Sequence, residues 1–373
     1  MSPTITHEVR DATPDDNDAL VALSTATSVD GDVSLAVDRG PDFFALSRLK
    51  GDRWRVGVVD GPDGRPAGCV AIAERTVHLH GEPTKTLAVS DLRVHPARRR
   101  EGRGDALIRW ARDACVEMGG QDAFAFVALL AGGKEMEGRM GGKRGLPSVH
   151  RFATVRCWSV PLLWNRKPPD AANSAVTRAT ADDVDEMAAL WADVGPQRQF
   201  APTMDAAALA AWVDAAPGLE LSSYWLARRP DKKLAGFVGI WDQEVFKRLQ
   251  LTRYSPRARV FREAFNLAAP LVGGARLPRP GQSVRHLIAV HPCVPPSAAG
   301  VFRSLLVAAY GEHRKKGYSF ITVGLDVKDP LAADMKGLLG QRTDVWCCVA
   351  TQGDRWTGPP LDDRPAYHEI ALV

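Results

Sequence analysis

Apolar residues recur at helical spacing over 15–27 and again over 179–190, and the first of these stretches is followed by alternation. "RWRVGVVDG" (53–61), "PAGCVAIAERTVHLHG" (66–81) and "TKTLAVSDLRVHP" (84–96) read as successive antiparallel strands. A helix follows Gly104. Its residues Ala106, Leu107, Trp110, Ala111, Ala114, Cys115 and Met118 form one apolar stripe, with Arg109, Arg112, Asp113 and Glu117 outside it. A strand over 123–130 comes next, then a Gly/Lys-rich segment, then a strand "VRCWSVPLLW" (155–164).

The pattern repeats. "ATPDDNDALVAL" (12–23) resembles "ATADDVDEMAAL" (179–190), and in both a threonine, Thr13 or Thr180, stands as N-cap before aspartates that suit the positive helix end. "LRVHP" (92–96) echoes "IAVHP" (288–292), and each precedes a loop, a helix and another apolar strand. Two matches in the same order predict a duplication. The Pro-, Asn- and Ala-rich stretch "WNRKPPDAANSA" (164–175) is its seam. The boundaries are therefore a first domain over 1–165, a linker over 166–175 and a second domain over 176–373. The second carries an insertion over 241–282, whose basic residues and prolines suggest an excursion over the surface.

Composition narrows the class. The chain has 373 residues, 45% hydrophobic and 25% charged, with a formal net charge of +4. That balance is globular, and with no long Lys/Arg tract it does not argue for nucleic acid. None of the six cysteines forms a C-x-x-C pair, and most lie in apolar runs, so they read as buried thiols rather than disulfides or a metal site. No signal peptide is visible, and no stretch approaches the roughly 18 apolar residues of a membrane span. The expectation is a soluble cytoplasmic protein, monomer or homodimer, with neither nucleic acid nor membrane as partner.

The chemistry concentrates in "VHPARRREGRGDALIRW" (94–110), where four arginines crowd two glycines between a strand and a helix. A helix start offers free N–H groups and a positive dipole end, glycines let the backbone approach an anion, and arginines add charge. The construction suits a pyrophosphate. It is not a P-loop, because no G-K-S/T follows, nor a Rossmann turn, because only two glycines are present after an antiparallel meander.

The spacing Arg99-x-x-Gly102-x-Gly104, after a strand ending Val94-x-Pro96, resembles the acyl-CoA loop of the GNAT superfamily of N-acyltransferases, written Q/R-x-x-G-x-G/A. The resemblance is close in the first half and loose in the second. It implies an α/β (α+β) fold of two tandem GNAT-like domains, each a mixed, mostly antiparallel sheet splayed open and flanked by helices. It also implies acetyl-CoA, or another acyl-CoA, in the cleft between strands 85–95 and 122–130. Leu92, Arg93 and Val94 would lie beside the pantetheine. Arg99, Arg100, Glu101, Gly102, Arg103 and Gly104 would hold the pyrophosphate, with Asp105 opening the helix.

In the second copy Gly102 falls on Gly300, Gly104 on Phe302 and Arg99 on Ser297. The arginines are gone, prolines remove N–H donors and Phe302 adds bulk, so no usual CoA site is expected there.

The family's base is often a carboxylate on the splayed strand, which puts forward Asp91. Its strand parity places it with Arg93 and opposite Leu92 and Val94. It either reaches the cleft or pairs with Arg93. The family's usual acid is a tyrosine, yet all five tyrosines lie in the second half. Ser148 and His150, at the end of "AGGKEMEGRMGGKRGLPSVHRF" (131–152), are the polar residues in its place, and a strand tail ending at Val373 is a further source of a catalytic group. Asp30, Asp32, Asp38 and Asp42 would form an acidic rim for a cationic acceptor, with Phe43 and Phe44 either on the substrate or in the core.

The reading is an acetyl-CoA-dependent N-acetyltransferase that acts on a primary amine of a small molecule. The alternatives are a longer-chain acyl-CoA or peptide N-terminus acyltransferase, and a non-catalytic CoA-binding scaffold.

Overall fold

The computed structural model describes residues 7–29, 31–132, 146–166, 175–351 and 361–373. The Gly/Lys-rich segment and nearly all of the linker lie outside the described residues. The first half supplies strands β1 (Arg10–Asp11), β2 (Ser28–Val29), β3 (Val33–Asp38), β4 (Arg53–Asp60), β5 (Pro66–Leu79), β6 (Glu82–Val94), β7 (Ala125–Leu130) and β8 (Ser148–Pro161). Its helices are α1 (Asn17–Ala26), α2 (Ala45–Lys50) and α3 (Arg103–Gly119). The second half supplies β9 (Ala175–Arg178), β10 (Tyr224–Arg228), β11 (Leu234–Trp241), β12 (Arg248–Tyr254), β13 (His286–Cys293), β14 (Phe320–Asp326) and β15 (Gln341–Thr351). Its helices are α4 (Val184–Val194), α5 (Ala206–Ala215), α6 (Pro256–Val272) and α7 (Val301–His313).

One mixed, mostly antiparallel sheet of twelve strands runs through both halves in the order β1-β4-β5-β6-β7-β15-β8-β14-β13-β11-β10-β9. Outward from the centre the order repeats. β7, β6, β5, β4 and β1 on one side match β14, β13, β11, β10 and β9 on the other. The two central strands are exchanged. β15, from the second half, pairs with β7, and β8, from the first half, pairs with β14. β15 and β8 pair with each other along the whole of β15.

Both helix starts found in the sequence carry the same local device. The Asp16 carboxylate accepts from the Thr13 amide at 2.7 Å, and the Asp183 carboxylate from the Thr180 amide at 2.8 Å. Each closes a capping box on a short 3-10 turn that leads into α1 or α4. α3 lies on the sheet as its stripe requires, with Ala106, Leu107, Ala111, Ala114 and Cys115 buried, and Trp110 and Met118 packed at the edge. Gly57 on β4 makes room for Trp110, since a Cβ there would stand 2.5 Å from its ring. Ala67–Ala73 of β5 are buried without alternation, because α3 covers one face and α1 and α2 the other.

Two expectations are corrected. The first concerns the VHP echo. Both β6 and β13 carry a bulge, where Asp91 (φ 54°) and His291 (φ 49°) take left-handed backbone conformations. With the bulges aligned, Leu92 matches Pro292 rather than Ile288, so the two VHP triplets are four residues out of register. The second concerns the insertion over 241–282. It begins in the core, with Trp241, Gln243, Phe246 and Lys247 buried, and its β12 pairs with β3 of the first half in a separate three-stranded sheet. All six cysteines are free thiols, and five of them are buried.

Candidate active site

β6 and β7 run parallel and stay paired from Leu87–Ala125 to Val89–Val127. Beyond Val89 the pairing stops, and β6 continues on β5 alone through Ser90, Arg93 and Val94. Its other edge is open. The bulge lies at the parting point, where Asp91 and Leu92 together face the single residue Val70.

The strand then delivers the chain to the arginine-rich loop. Gly102 is the N-cap of α3 with φ 86°, a left-handed conformation that costs a side-chain-bearing residue roughly 1–2 kcal/mol. Having no side chain, it does not cap the helix, so the first-turn amides of Arg103, Gly104 and Asp105 face forward. Arg99 and Arg100 are exposed beside them, while Arg98 is half-buried. Arg103 departs from the expected rim. Its side chain is 6% exposed and ion-pairs with the exposed Glu101, so Arg103 holds the loop rather than faces solvent. His7 Nε2 meets the Glu101 carbonyl at 2.7 Å and pins the loop to the N-terminal segment.

The corresponding helix start in the second half is closed. Gly300 (φ 79°) N-caps α7, but the Asp334 carboxylate accepts from the amides of Gly300 and Arg303, both at 3.2 Å. An internal anion takes the place an external one would need. Phe302 is fully buried. At the second bulge the His291 amide donates to Glu369 Oε2 at 3.2 Å, and Ile370 packs on Gly324 of β14. The C-terminal tail thus lies along the second half's own splayed strands.

Leu92 and Val94 face α3, and Asp91 and Arg93 the opposite side, as their parity predicts. Asp91 does not lie free in the cleft. Its side chain is 3% exposed and meets Arg39 at 2.8 Å, Lys50 at 3.2 Å and Arg93 at 3.4 Å. Burial pushes its carboxyl up, but the three cations outweigh burial and hold it well below the ordinary range. A carboxylate so stabilised is a poor proton acceptor. Of its two expected placements, Asp91 takes the one paired with Arg93, and it anchors the bulge. Lys50 Nζ also donates to Ser90 Oγ at 2.7 Å, and Arg93 to Thr27 Oγ1 at 3.1 Å.

Sequence reasoning missed Arg39, Lys50 and Lys247. Lys247 is buried just beyond β11, and its ammonium donates to the Ala371 carbonyl at 3.1 Å. Burial, with repulsion from Arg39 and Lys50, lowers its pKa to about 7, partly offset by Asp91. The cluster therefore joins groups from both halves and holds four basic side chains against one carboxylate.

The other expected residues are scattered. Ser148 and His150 sit on β8, opposite Thr351 and Val349 of β15, level with the closed end of the β6–β7 pair. Three strand spacings, about 14 Å, separate them from β6, so they take no part in this cleft. Val373 follows the buried Leu372 and is 52% exposed, two residues past the carbonyl that meets Lys247. The acidic rim does not form as expected. Asp38 is buried against Arg248 and Gln250 of the second half, Asp42 pairs with Arg48, and Asp30 lies outside the described residues. Phe43 and Phe44 are core. Among the described residues no group of His, Cys, Asp or Glu side chains is arranged to hold a metal ion, and no helix is long and apolar enough to cross a membrane.

Comparison with known proteins places this geometry. Residues 35–130, from β3 to the end of β7, match the model of the Acetyltransferase (GNAT) family. No curated protein matches the chain by sequence. The fold is similar to that of Saccharomyces cerevisiae N-myristoyltransferase with bound myristoyl-CoA, with a TM-score of 0.62 and 11% identity over 94% of this chain and 84% of that one. It is also similar to a GCN5-related N-acetyltransferase from Anabaena variabilis, with a TM-score of 0.50 and 11% identity over 93% of this chain and 73% of that one. A third likeness is the GCN5-related glucosamine N-acetyltransferase region of a fungal multi-domain β-N-acetylglucosaminidase, with a TM-score of 0.59 and 14% identity over 94% of this chain and 38% of that one. The chain carries a GNAT acetyltransferase domain and is an acyltransferase.

Proposed function

We propose that the chain transfers an acetyl group from acetyl-CoA to the primary amine of a small molecule, by direct attack in a ternary complex, with one cofactor site per chain. The observation that carries this reading is the continuous path from the open edge of β6, past the bulge at Asp91, to the forward-facing amides at the start of α3. Acetyl-CoA supplies a thioester. The chain's own groups do the rest. The amides of Arg103, Gly104 and Asp105, with the exposed Arg99 and Arg100, suit a pyrophosphate. The open edge of β6 at Leu92–Val94 suits an amide-bearing arm, which can pair with it as an added strand. The capped helix start at Asp334 supports a single site, and the repeated strand order, capping boxes and bulges support reading the second half as a degenerate copy.

A short acyl group fits best. Past the bulge the interior holds Arg39, Lys50 and Asp91, and a long alkyl chain continuing there would be buried against charge. The second reading, a longer acyl group, is supported by the fold likeness to N-myristoyltransferase. A panel of acyl-CoAs of increasing length separates the two. Excess positive charge in the cluster also disfavours a polycationic acceptor.

Lys247 is the proton acceptor in this proposal, since a lysine with a pKa about 7 is largely neutral at slightly alkaline pH. The neutral form is the active one. Log kcat/KM should therefore rise with pH and level off above about 7. Lys247→Met should remove that inflection, and Lys247→Arg, which stays charged, should be as inactive. An unchanged pH profile in Lys247→Met would remove Lys247 from the chemistry.

Calorimetry with acetyl-CoA tests the site itself. Wild type should bind one equivalent. Gly102→Asp puts a carboxylate at the phosphate position and strains the N-cap, and should weaken binding by roughly 10- to 100-fold. Two equivalent sites, or a Gly102→Asp protein that binds normally, would overturn the assignment.

A further inference from the structure

Helix α6 leaves the second half between β12 and β13 and buries little of itself. Its inner face is Ala258, Arg262, Phe265 and Ala269, which are partly or fully buried. Its outer face is apolar as well. Val260, Ala264, Leu267 and Leu271 follow one another at i, i+4, i+7 and i+11 and form a single stripe. Leu271, Leu267 and Val260 are the three most exposed large apolar side chains among the described residues, at 88%, 83% and 72%, and Phe261 beside them is 63% exposed. A contiguous exposed patch of this kind marks a docking surface.

Charge says what it docks on. Residues 253–279 contain six arginines and one glutamate, a net +5, whereas the whole chain is +4. The remainder of the protein is thus −1, and its entire positive excess lies in this one segment. Arg253, Arg257, Arg259, Arg276 and Arg279 are exposed around the stripe. Trp164 stands 48% exposed at the end of β8, next to Leu163, which packs on Gly274, and Lys315 reaches Gly273 just past the helix. An outward apolar stripe, rimmed by arginines and flanked by an exposed tryptophan, has the composition of a helix that lies in a bilayer interface.

We propose that α6 docks the protein on an anionic lipid surface, with Val260, Phe261, Leu267 and Leu271 in the acyl boundary and the arginines on the headgroups. A second copy of the chain is disfavoured as occupant, since both copies would bring the same +5 to the contact. The surface does not depend on the proposed acetyl transfer. It replaces the expectation of no membrane partner with a peripheral one.

Sedimentation of the full-length protein with vesicles tests this. Wild type should pellet with phosphatidylcholine vesicles containing about 30% phosphatidylglycerol, and far less with pure phosphatidylcholine. L267D/L271D should lower the partition coefficient by at least about tenfold, and Arg257→Glu or Arg259→Glu by about fivefold or more each. These side chains are exposed, so acetyl-CoA affinity should be unchanged in all three and reports on folding. Three results would each overturn the proposal: no pelleting of wild type with anionic vesicles, pelleting of L267D/L271D at the wild-type level, or light scattering showing that L267D/L271D converts a dimer to a monomer while neither protein binds lipid.

Discussion

Residues 1–165 expressed without the remainder of the chain should fail to fold cooperatively. The exchange of central strands decides this. Without β15, the edge of β7 loses its partner from Ala125 to Leu130, and β8 loses both neighbours at once. The core beneath is shared too. Val77, Leu79, Phe126 and Val155 of the first half pack with Phe200, Cys347, Val349 and Ala366 of the second. Asp38 would be left without Arg248 and Gln250. A small β-rich domain with three orphaned strand edges and half a core loses more than the marginal stability of about 5–15 kcal/mol that domains possess. The fragment should be aggregated or dye-binding, with no sigmoidal urea transition. Co-expression with residues 176–373 should restore a soluble complex. A fragment that unfolds cooperatively in urea on its own would show that β15 is dispensable to the first half.

Asp91→Ala should destabilise the whole protein by about 3–5 kcal/mol, because it leaves Arg39 and Lys50 buried with no carboxylate partner. Urea unfolding monitored by tryptophan fluorescence measures it. Asp91→Asn keeps the shape and loses the charge. Its deficit follows pH with a definite sign. The folded carboxyl titrates below its ordinary value of 3.8, so its contribution is complete above that value and disappears as pH falls through the folded pKa. The gap between wild type and Asp91→Asn should be flat from neutral pH down to about 5 and close only in stronger acid. If Asp91→Asn were instead as stable as wild type and roughly 10²–10⁴ slower, Asp91 would be the base after all.

The features legible in the sequence were local ones. The capping boxes at Thr13 and Thr180 need four consecutive residues, and the α3 stripe and Gly102 N-cap need one helix. The parity of Asp91 with Arg93 needs only the pleat. What the sequence hid depends on distant pairing. Arg39, Lys50 and Lys247 lie in three separate segments: packing within the first half brings Arg39 and Lys50 to Asp91, and the docking of β12 on β3 adds Lys247. The acidic loop misled for the same reason, since Asp38 finds its cation 210 residues away. The VHP echo misled because triplet identity says nothing about register, which the bulge fixes. Asp334, which closes the second helix start, lies 34 residues beyond Gly300 and has no motif to announce it.

The exchanged strands also set an order of events during synthesis. At typical translation rates of about 5–20 residues per second, the 179 residues between the end of β8 at Pro161 and the start of β15 at Gln341 take roughly 10–40 s to emerge. Throughout that interval the nascent first half carries β7 with a bare edge, and β8 has no neighbour until β14 emerges. On the proposed function, binding of acyl-CoA waits as well, because the β6–β7 parting is braced only once β15 arrives. Rare-codon stretches within 162–340 would prolong this exposed state, and holdase chaperones should be found on chains of that length rather than on shorter or finished ones.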